Sequence, residues 1–165
     1  MHIRLVVADQ SEARFYDVPG PHDAVELVGR LADPLAHLHD RDLASDRPGR
    51  KFDRAPLMTG RRGATAHHAT GGEQSPRRHE AEVFARRVAA QLEQAHRRGD
   101  FKRLIVMSGP MFLGLLRQAL PEWMRAAIVA EVAKDLVHED VEAIIRHLPH
   151  LPHLPHLPGA QPGSS

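Results

Sequence analysis

A short segment with two adjacent glycines and an amide side chain is the part of this sequence best suited to chemistry. It reads Thr70-Gly71-Gly72-Glu73-Gln74-Ser75 and directly precedes a segment with helical periodicity. Because glycine has no side chain, such a segment can bring its backbone close to a reacting group. Gly71, Gly72 and Gln74 are therefore candidate site residues. The alternative is an ordinary linker that ends in a helix cap.

Positive charge is concentrated around this segment, although the formal net charge of the chain is only +1. Residues 41–99 hold 13 Arg/Lys against 7 Asp/Glu, whereas residues 1–40 hold 3 against 7 and residues 100–165 hold 6 against 7. The excess is almost entirely arginine, whose guanidinium suits phosphate contacts. The candidate RNA contacts are Arg47, Arg50, Lys51, Arg54, Arg61, Arg62, Arg77 and Arg78. On charge alone, a solvated surface without nucleic acid is the simpler alternative.

The other candidates for chemistry do not complete a site. Asp9 and Asp135 each follow an apolar run, so two carboxylates could meet at strand ends and bind Mg²⁺ as in nucleases, but turn and capping roles are simpler. His67-His68 have no nearby acid to complete a metal set, and Ser108-Gly109-Pro110 lacks the context of a nucleophile elbow. The glycines match neither a P-loop nor a dinucleotide fingerprint. We therefore predict no metal and no cofactor.

Length and composition narrow the class of protein. A chain of 165 residues fits one domain, and the absence of cysteine excludes disulfides, thiolate metal sites and a cysteine nucleophile. No apolar run approaches the roughly 20 residues that cross a bilayer. The opening MHIRLVVADQ is typical of a strand rather than a signal peptide. We expect a cytoplasmic protein without a membrane or DNA partner.

The elements that position these residues begin with strands. The apolar runs Ile3–Ala8 and Ala13–Val18 predict a β-hairpin. Ala24–Leu31 fits either a helix face or a strand, and residues 33–74 lack sustained periodicity, which is typical of functional or disordered loops. The tail repeats His-Leu-Pro four times and favours a polyproline-II rod. We expect a folded domain over residues 1–148 and a disordered tail over 149–165.

The second half alternates helix and strand. A helix is predicted after Ser75, with one apolar stripe formed by Ala81, Phe84, Ala85, Val88, Ala89, Leu92 and Ala95, and Gly99 ends it. Leu104–Met107 predicts a central strand and Phe112–Leu120 a short helix. Ile128–Val132 fits a strand or a helical continuation, and Asp140–Leu148 predicts a final helix. The pattern indicates an α/β sheet that is antiparallel at its start and parallel later.

Several blocks, in order over about residues 3–148, resemble a bacterial family named host attachment protein, or protein required for attachment to host cells. The two more specific blocks are Ser45-Asp46-Arg47-Pro48-Gly49-Arg50, which extends a match from Asp42, and Phe112-Leu113-Gly114-Leu115-Leu116-Arg117. The others are Val6-Val7-Ala8-Asp9 with Ala13-Arg14-Phe15, Glu80-Ala81 with Phe84-Ala85-Arg86, the stretch from Phe101 to Val106, and Lys134-Asp135-Leu136 with His138.

That family is similar to the catalytic middle domain of archaeal and eukaryotic peptide release factors. The similarity implies an RNase H-like mixed α/β sheet flanked by helices, with residues 24–31 as the third strand of an antiparallel meander. Release factors carry a Gly-Gly-Gln tip that helps water attack the peptidyl-tRNA ester. Gly71, Gly72 and Gln74 lie in the equivalent place here, and Glu73 is inserted between them. The match therefore supports the architecture more than the activity.

Two functions from different classes follow. The first is a release-factor-like domain that associates with the ribosome or tRNA through its basic Gly-rich loop, in translation termination or ribosome rescue. Its arginines would contact phosphates without reading sequence. If it is an enzyme, the reaction is peptidyl-tRNA ester hydrolysis with Gln74 positioning water, but the residues favour a role without catalysis. The second function is a non-catalytic intracellular interaction protein linked indirectly to host-cell attachment.

Overall fold

A five-stranded mixed sheet forms the centre of the molecule in a computed structural model, which describes residues 2–18, 24–36 and 76–149. In chain order the elements are β1 (Ile3–Ala8), β2 (Glu12–Val18), β3 (Glu26–Ala32), α1 (Pro76–Arg97), β4 (Arg103–Ser108), α2 (Pro110–Ala119), α3 (Glu122–Arg125), β5 (Ile128–Val132) and α4 (Val141–Arg146). The strand order is β3-β2-β1-β4-β5. The first three strands form an antiparallel meander, whereas β4 runs parallel to β1 and β5 parallel to β4. This confirms the expected RNase H-like mixed α/β sheet.

The two central strands are covered on both faces. Every residue of β1 is buried, and in β4 only Arg103 is partly exposed. Their side chains alternate between two apolar clusters, with Val6 and Val106 in the cluster under α1 and α2. Leu5 and Ile105 belong to the cluster on the other face, which α4 completes. Near-continuous apolar runs are what strands buried on both faces require.

The long helix α1 lies against the sheet through the predicted stripe. All seven residues of that stripe are buried, namely Ala81, Phe84, Ala85, Val88, Ala89, Leu92 and Ala95. Phe84 also packs on Phe112 of α2, with ring centroids 5.9 Å apart. Gly99 follows the helix with φ of +82°, a left-handed conformation that glycine adopts without the cost of a Cβ. The buried stripe fixes the orientation of α1, and the opposite side of the helix faces solvent.

The ambiguous segment near residue 28 is a strand with an irregularity. Tyr16 of β2 pairs with Leu27 of β3, but the residue before it in β2, Phe15, pairs with Gly29 rather than with Val28. Val28 is therefore an extra residue and forms a bulge, which breaks the simple alternation of apolar and polar positions. That break explains why the pattern of 24–31 fits a helix face as well as a strand.

The opposite edge of the sheet has the same kind of irregularity. Leu104 pairs with Ile128, and the following residue Ile105 pairs with Ala130, so Val129 has no direct partner. Residues 128–132 therefore form a strand and not a continuation of the preceding helix, the two alternatives that the sequence left open. Both edge strands therefore carry a one-residue bulge.

The last helix is shorter than the predicted Asp140–Leu148. The Asp140 carboxylate accepts a hydrogen bond of 2.7 Å from the backbone N–H of Ala143 and caps α4, which ends at Arg146. Leu148 is nevertheless buried against the second apolar cluster. Most of the His-Leu-Pro tail, residues 150–165, lies outside the described residues, so the boundary after residue 148 stays a prediction. In the described part of the chain, no helix combines the length and the apolar character that crossing a membrane demands.

Candidate nucleic-acid interface

Exposed arginines follow α1 along its whole length. Arg77 and Arg78, both predicted RNA contacts, lie exposed in the first turn of the helix. The row continues along the helix and just past its end with Arg86, Arg87, Arg97 and Arg98, all of them exposed. We call these six residues the arginine row. Only three glutamates lie on the same helix, at positions 80, 82 and 93. The exposed surface along α1 is therefore positively charged, as the sequence predicts.

The ion pairs along α1 are long or exposed. Arg78 Nε lies 3.5 Å from Glu82, and Arg97 Nη2 lies 3.5 Å from Glu93. Arg87 Nη1 lies 3.9 Å from the buried Asp33. The two exposed pairs, of Arg78 with Glu82 and of Arg97 with Glu93, contribute little to stability, typically about 0–1 kcal/mol. A phosphate can therefore displace the carboxylates of Glu82 and Glu93 at small cost.

Most of the predicted site residues lie outside the described residues. These are the candidate tip residues Gly71, Gly72 and Gln74 and the basic residues Arg47, Arg50, Lys51, Arg54, Arg61 and Arg62. In the chain they lie between residues 47 and 74, ahead of α1, whose first residue is Pro76. Their roles stay predictions.

The two aspartates considered for a metal site do lie at one cleft. It has a volume of about 220 Å³ and is lined by Asp9, Gln10, Asp135 and the segment from Gly109 to Phe112. The cleft lies where β1 and β4 end, because the carboxyl ends of parallel strands share one edge of a sheet. The convergence predicted from the strand ends is therefore present in the structure.

Hydrogen bonds give Asp9 a structural role. Its Oδ1 accepts from the backbone N–H of Ser11 at 2.7 Å, the hydroxyl of Ser11 at 2.9 Å and the backbone N–H of Glu12 at 2.7 Å. Its Oδ2 lies 3.5 Å from Nε2 of His138. Within residues 2–18, 24–36 and 76–149, no three His, Asp or Glu side chains form a group suited to a metal ion. The geometry therefore favours the turn role for Asp9.

One ion pair in the described residues combines short distances with shifted pKa values. Arg117 Nε donates to both carboxylate oxygens of Glu131 at 2.9 Å, and Arg117 Nη2 contacts the same carboxylate. This hydrogen bonding, together with the charge of Arg117, lowers the pKa of Glu131. The same bonds raise the pKa of Arg117. The pair joins α2 to the edge strand β5.

An aromatic cluster at the end of α1 was missed by the sequence reasoning. The ring of Trp123 lies 5.4 Å from the ring of His96, and His96 packs edge-on against Phe101 at 5.3 Å. Trp123 is 44% exposed. The available signal was the single tryptophan of the chain, placed in a polar context after Pro121. Periodicity does not place it beside His96, because 27 residues separate the two.

Comparisons with known proteins find one sequence relative and several solved structures. A curated protein of Rickettsia prowazekii (strain Madrid E), described as uncharacterized, is 36% identical over 64 residues, which are 38% of this chain and 43% of that protein. Among solved structures, an archaeal translation termination factor aligns with a TM-score of 0.45 and 10% identity, covering 88% of this chain and 33% of the other. Another archaeal protein aligns with a TM-score of 0.42 and 12% identity, covering 81% and 30%. The chain thus spans less than half the length of each of these proteins.

A family model provides the match that covers most of the chain. The model carries the description "protein required for attachment to host cells" and matches residues 5–148. The match includes every described helix and strand except the first two residues of β1. It confirms the resemblance that the sequence blocks indicated. The chain belongs to the family of proteins required for attachment to host cells.

Proposed function

We propose that this protein binds RNA of the translation apparatus, either ribosomal RNA or tRNA, through the arginine row. The observation that carries the proposal is the charge exposed along α1 and the residue after it, where six exposed arginines outnumber three glutamates. Arginine contacts to phosphates supply affinity that does not depend on base sequence. The binding is therefore expected to recognise RNA as a polyanion.

The rigidity of α1 supports this proposal. The helix has 22 residues, so its axis is about 33 Å long. Its buried stripe packs on the sheet, and Phe84, Val88 and Leu92 are fully buried. The arginine row is therefore displayed on an element whose orientation is fixed before RNA arrives. A preorganised surface loses less conformational entropy on binding than a flexible one.

The segment that precedes α1 extends the same surface in our proposal. Arg61 and Arg62 lie ahead of the candidate tip in the chain, and Arg77 and Arg78 follow it. The tip residues Gly71, Gly72 and Gln74 would then enter an RNA-lined site between basic flanks. Glu73 adds a negative charge there, and we propose a binding role without hydrolysis. Peptidyl-tRNA hydrolysis that is lost in Gln74→Ala would add catalysis to the function.

Sedimentation of a cell lysate tests the proposal. The tagged full chain is run through a sucrose gradient at low and high salt, with and without puromycin. We expect salt-sensitive migration with the large subunit or the intact ribosome, or a shift with tRNA. The double variant Arg77→Glu/Arg78→Glu is expected to remain at the top of the gradient. The matched control is Arg30→Glu/Arg146→Glu, which makes the same charge change on β3 and α4, away from α1.

Two results would count against the proposal. Migration at the top of the gradient under all conditions, combined with no binding to purified tRNA, removes RNA as the partner. Equal loss of binding in the control variant assigns the effect to net charge rather than to α1. The first result would favour the alternative of a non-catalytic interaction protein.

A further inference from the structure

An exposed aromatic ring lies at the far end of the arginine row. Trp123 is 44% exposed, although the next residue, Met124, is fully buried. Single exposed apolar side chains are common on protein surfaces. What distinguishes this one is how its ring is held and which charges lie at the same end of α1.

A stack of rings supports Trp123 from beneath. Its ring packs on His96 of α1, and His96 packs edge-on against Phe101, which is 1% exposed. On Phe101 lies the guanidinium of the buried Arg4, 5.2 Å from the ring centroid. Tilted and edge-to-face packing of this kind is favourable and directional. The stack therefore fixes the indole on its inner side and leaves a large part of its surface to solvent.

Basic residues follow directly in the chain after His96, which holds the indole. From the end of α1 to the start of β4 the chain reads Arg97-Arg98-Gly99-Asp100-Phe101-Lys102-Arg103, with four basic residues and one acid. The acid, Asp100, forms an ion pair with Arg98, whose Nη2 lies 2.9 Å from its carboxylate. Arg97 and Lys102 are exposed, and Arg97 has only a 3.5 Å contact with Glu93. Arg97 and Lys102 directly follow His96 and Phe101 of the ring stack in the chain, and an aromatic surface with cations at the same end of a helix suits a ligand with flat rings and phosphates.

We propose that Trp123 is a stacking platform for an unpaired RNA base and that Arg97 and Lys102 contact the flanking phosphates. This inference rests on the proposed function and adds to it a preference for single-stranded RNA. Stacking on an aromatic side chain requires a base that has left its helix. It tolerates any base, because every base has a π-face. The platform and Arg77 would hold one RNA at two ends of α1.

The chain provides its own reporter for this proposal, since Trp123 is its single tryptophan. Intrinsic fluorescence of the full chain is followed during titration with a short oligoadenylate RNA and with an RNA duplex of the same length. Anisotropy of labelled RNA measures total binding in parallel. We expect the single strand to quench the fluorescence and the duplex to bind through phosphates without quenching it.

Variants give the second readout. Trp123→Ala is expected to weaken single-strand binding by about tenfold, the effect typical of losing one stacked base, and Trp123→Phe to retain most of the affinity. The matched control is Met111→Ala. Met111 is 51% exposed and lies near the start of α2, whereas Trp123 lies beyond the end of that helix. Removal of the Met111 side chain should therefore leave binding unchanged.

The outcomes separate the two proposals. Binding of the single strand without quenching, and with equal affinity in Trp123→Ala, overturns the stacking platform and leaves the arginine row intact. Equal quenching by duplex and single strand also overturns it. Absence of binding to either RNA overturns the proposed function and the platform together. Recovery of a protein partner that protects Trp123 while RNA does not would assign the surface to protein recognition.

Discussion

Replacing two arginines on α1 measures how much of the RNA affinity comes from this helix. Arg77 and Arg86 are both exposed, and neither forms an ion pair within 4 Å inside the described residues. Changing them to glutamine removes two charges while keeping long polar side chains. Because neither side chain is buried, we expect the free energy of unfolding to stay the same within about 0.5 kcal/mol.

The magnitude follows from counterion release. Each phosphate contact on a single strand contributes a slope of about −0.7 to the plot of log affinity against log salt. If all six arginines of the row bind phosphates, the wild-type slope is about −4. Removing two contacts makes it shallower by about 1.4. Between about 50 and about 200 mM salt, the affinity advantage of the wild type over Arg77→Gln/Arg86→Gln should therefore shrink about sevenfold.

The assay is fluorescence anisotropy of a labelled RNA at a series of salt concentrations. The control is Arg30→Gln/Arg146→Gln, which removes the same charge from β3 and α4. We expect the control to keep the wild-type slope. If both variants have the wild-type slope, Arg77 and Arg86 contact no phosphates and our reasoning from their exposed charge is wrong.

Two further predictions concern the fold and the cleft. Asp9→Ala loses the three hydrogen bonds from Ser11 and Glu12 and should lower the free energy of unfolding by about 1–3 kcal/mol in urea titrations. An unchanged stability, together with loss of a Mg²⁺-dependent RNA cleavage, would instead support a nuclease. Glu131→Gln should slightly destabilise the protein at pH 7, since Arg117 lowers the pKa of the folded carboxylate. The stability difference should be complete above about pH 4.5, the ordinary pKa of the group, and should fade as the pH falls through the lower pKa of the folded carboxylate; thermal melts at several pH values would measure it.

Hydrophobic patterning predicted most of the architecture. The stripe on α1 and the runs of β1 and β4 were predictable because each follows the period of its element without interruption. The bulges at Val28 and Val129 defeat the same reasoning, since one extra residue shifts every later side chain to the other face. The segments around them were for that reason the ambiguous ones.

The candidate site was less predictable than the fold. Exposure of Arg86, Arg87 and Arg97 followed from the helix face opposite the stripe, whereas Arg77 and Arg78 are exposed in the first turn of α1. The meeting of Asp9 and Asp135 followed from their positions at strand ends, but only the structure shows that Asp9 Oδ1 accepts three hydrogen bonds. The contact of Trp123 with His96 depends on the tertiary packing of α3 against the end of α1. Neither periodicity nor local propensity predicts that packing.

The parallel pairing of the two central strands has a consequence during synthesis. Ile3 pairs with Arg103, a partner 100 residues further along the chain. At roughly 5–20 residues per second, the ribosome needs about 5–20 s to make that partner. During this time the meander can form, but β1 is its outermost strand, and an apolar strand with unpaired backbone groups invites association with other chains. β1, the central strand of the folded sheet, is thus an unpaired edge strand while the chain is being synthesised. We expect a chaperone to cover it until β4 has been made and pairs with it.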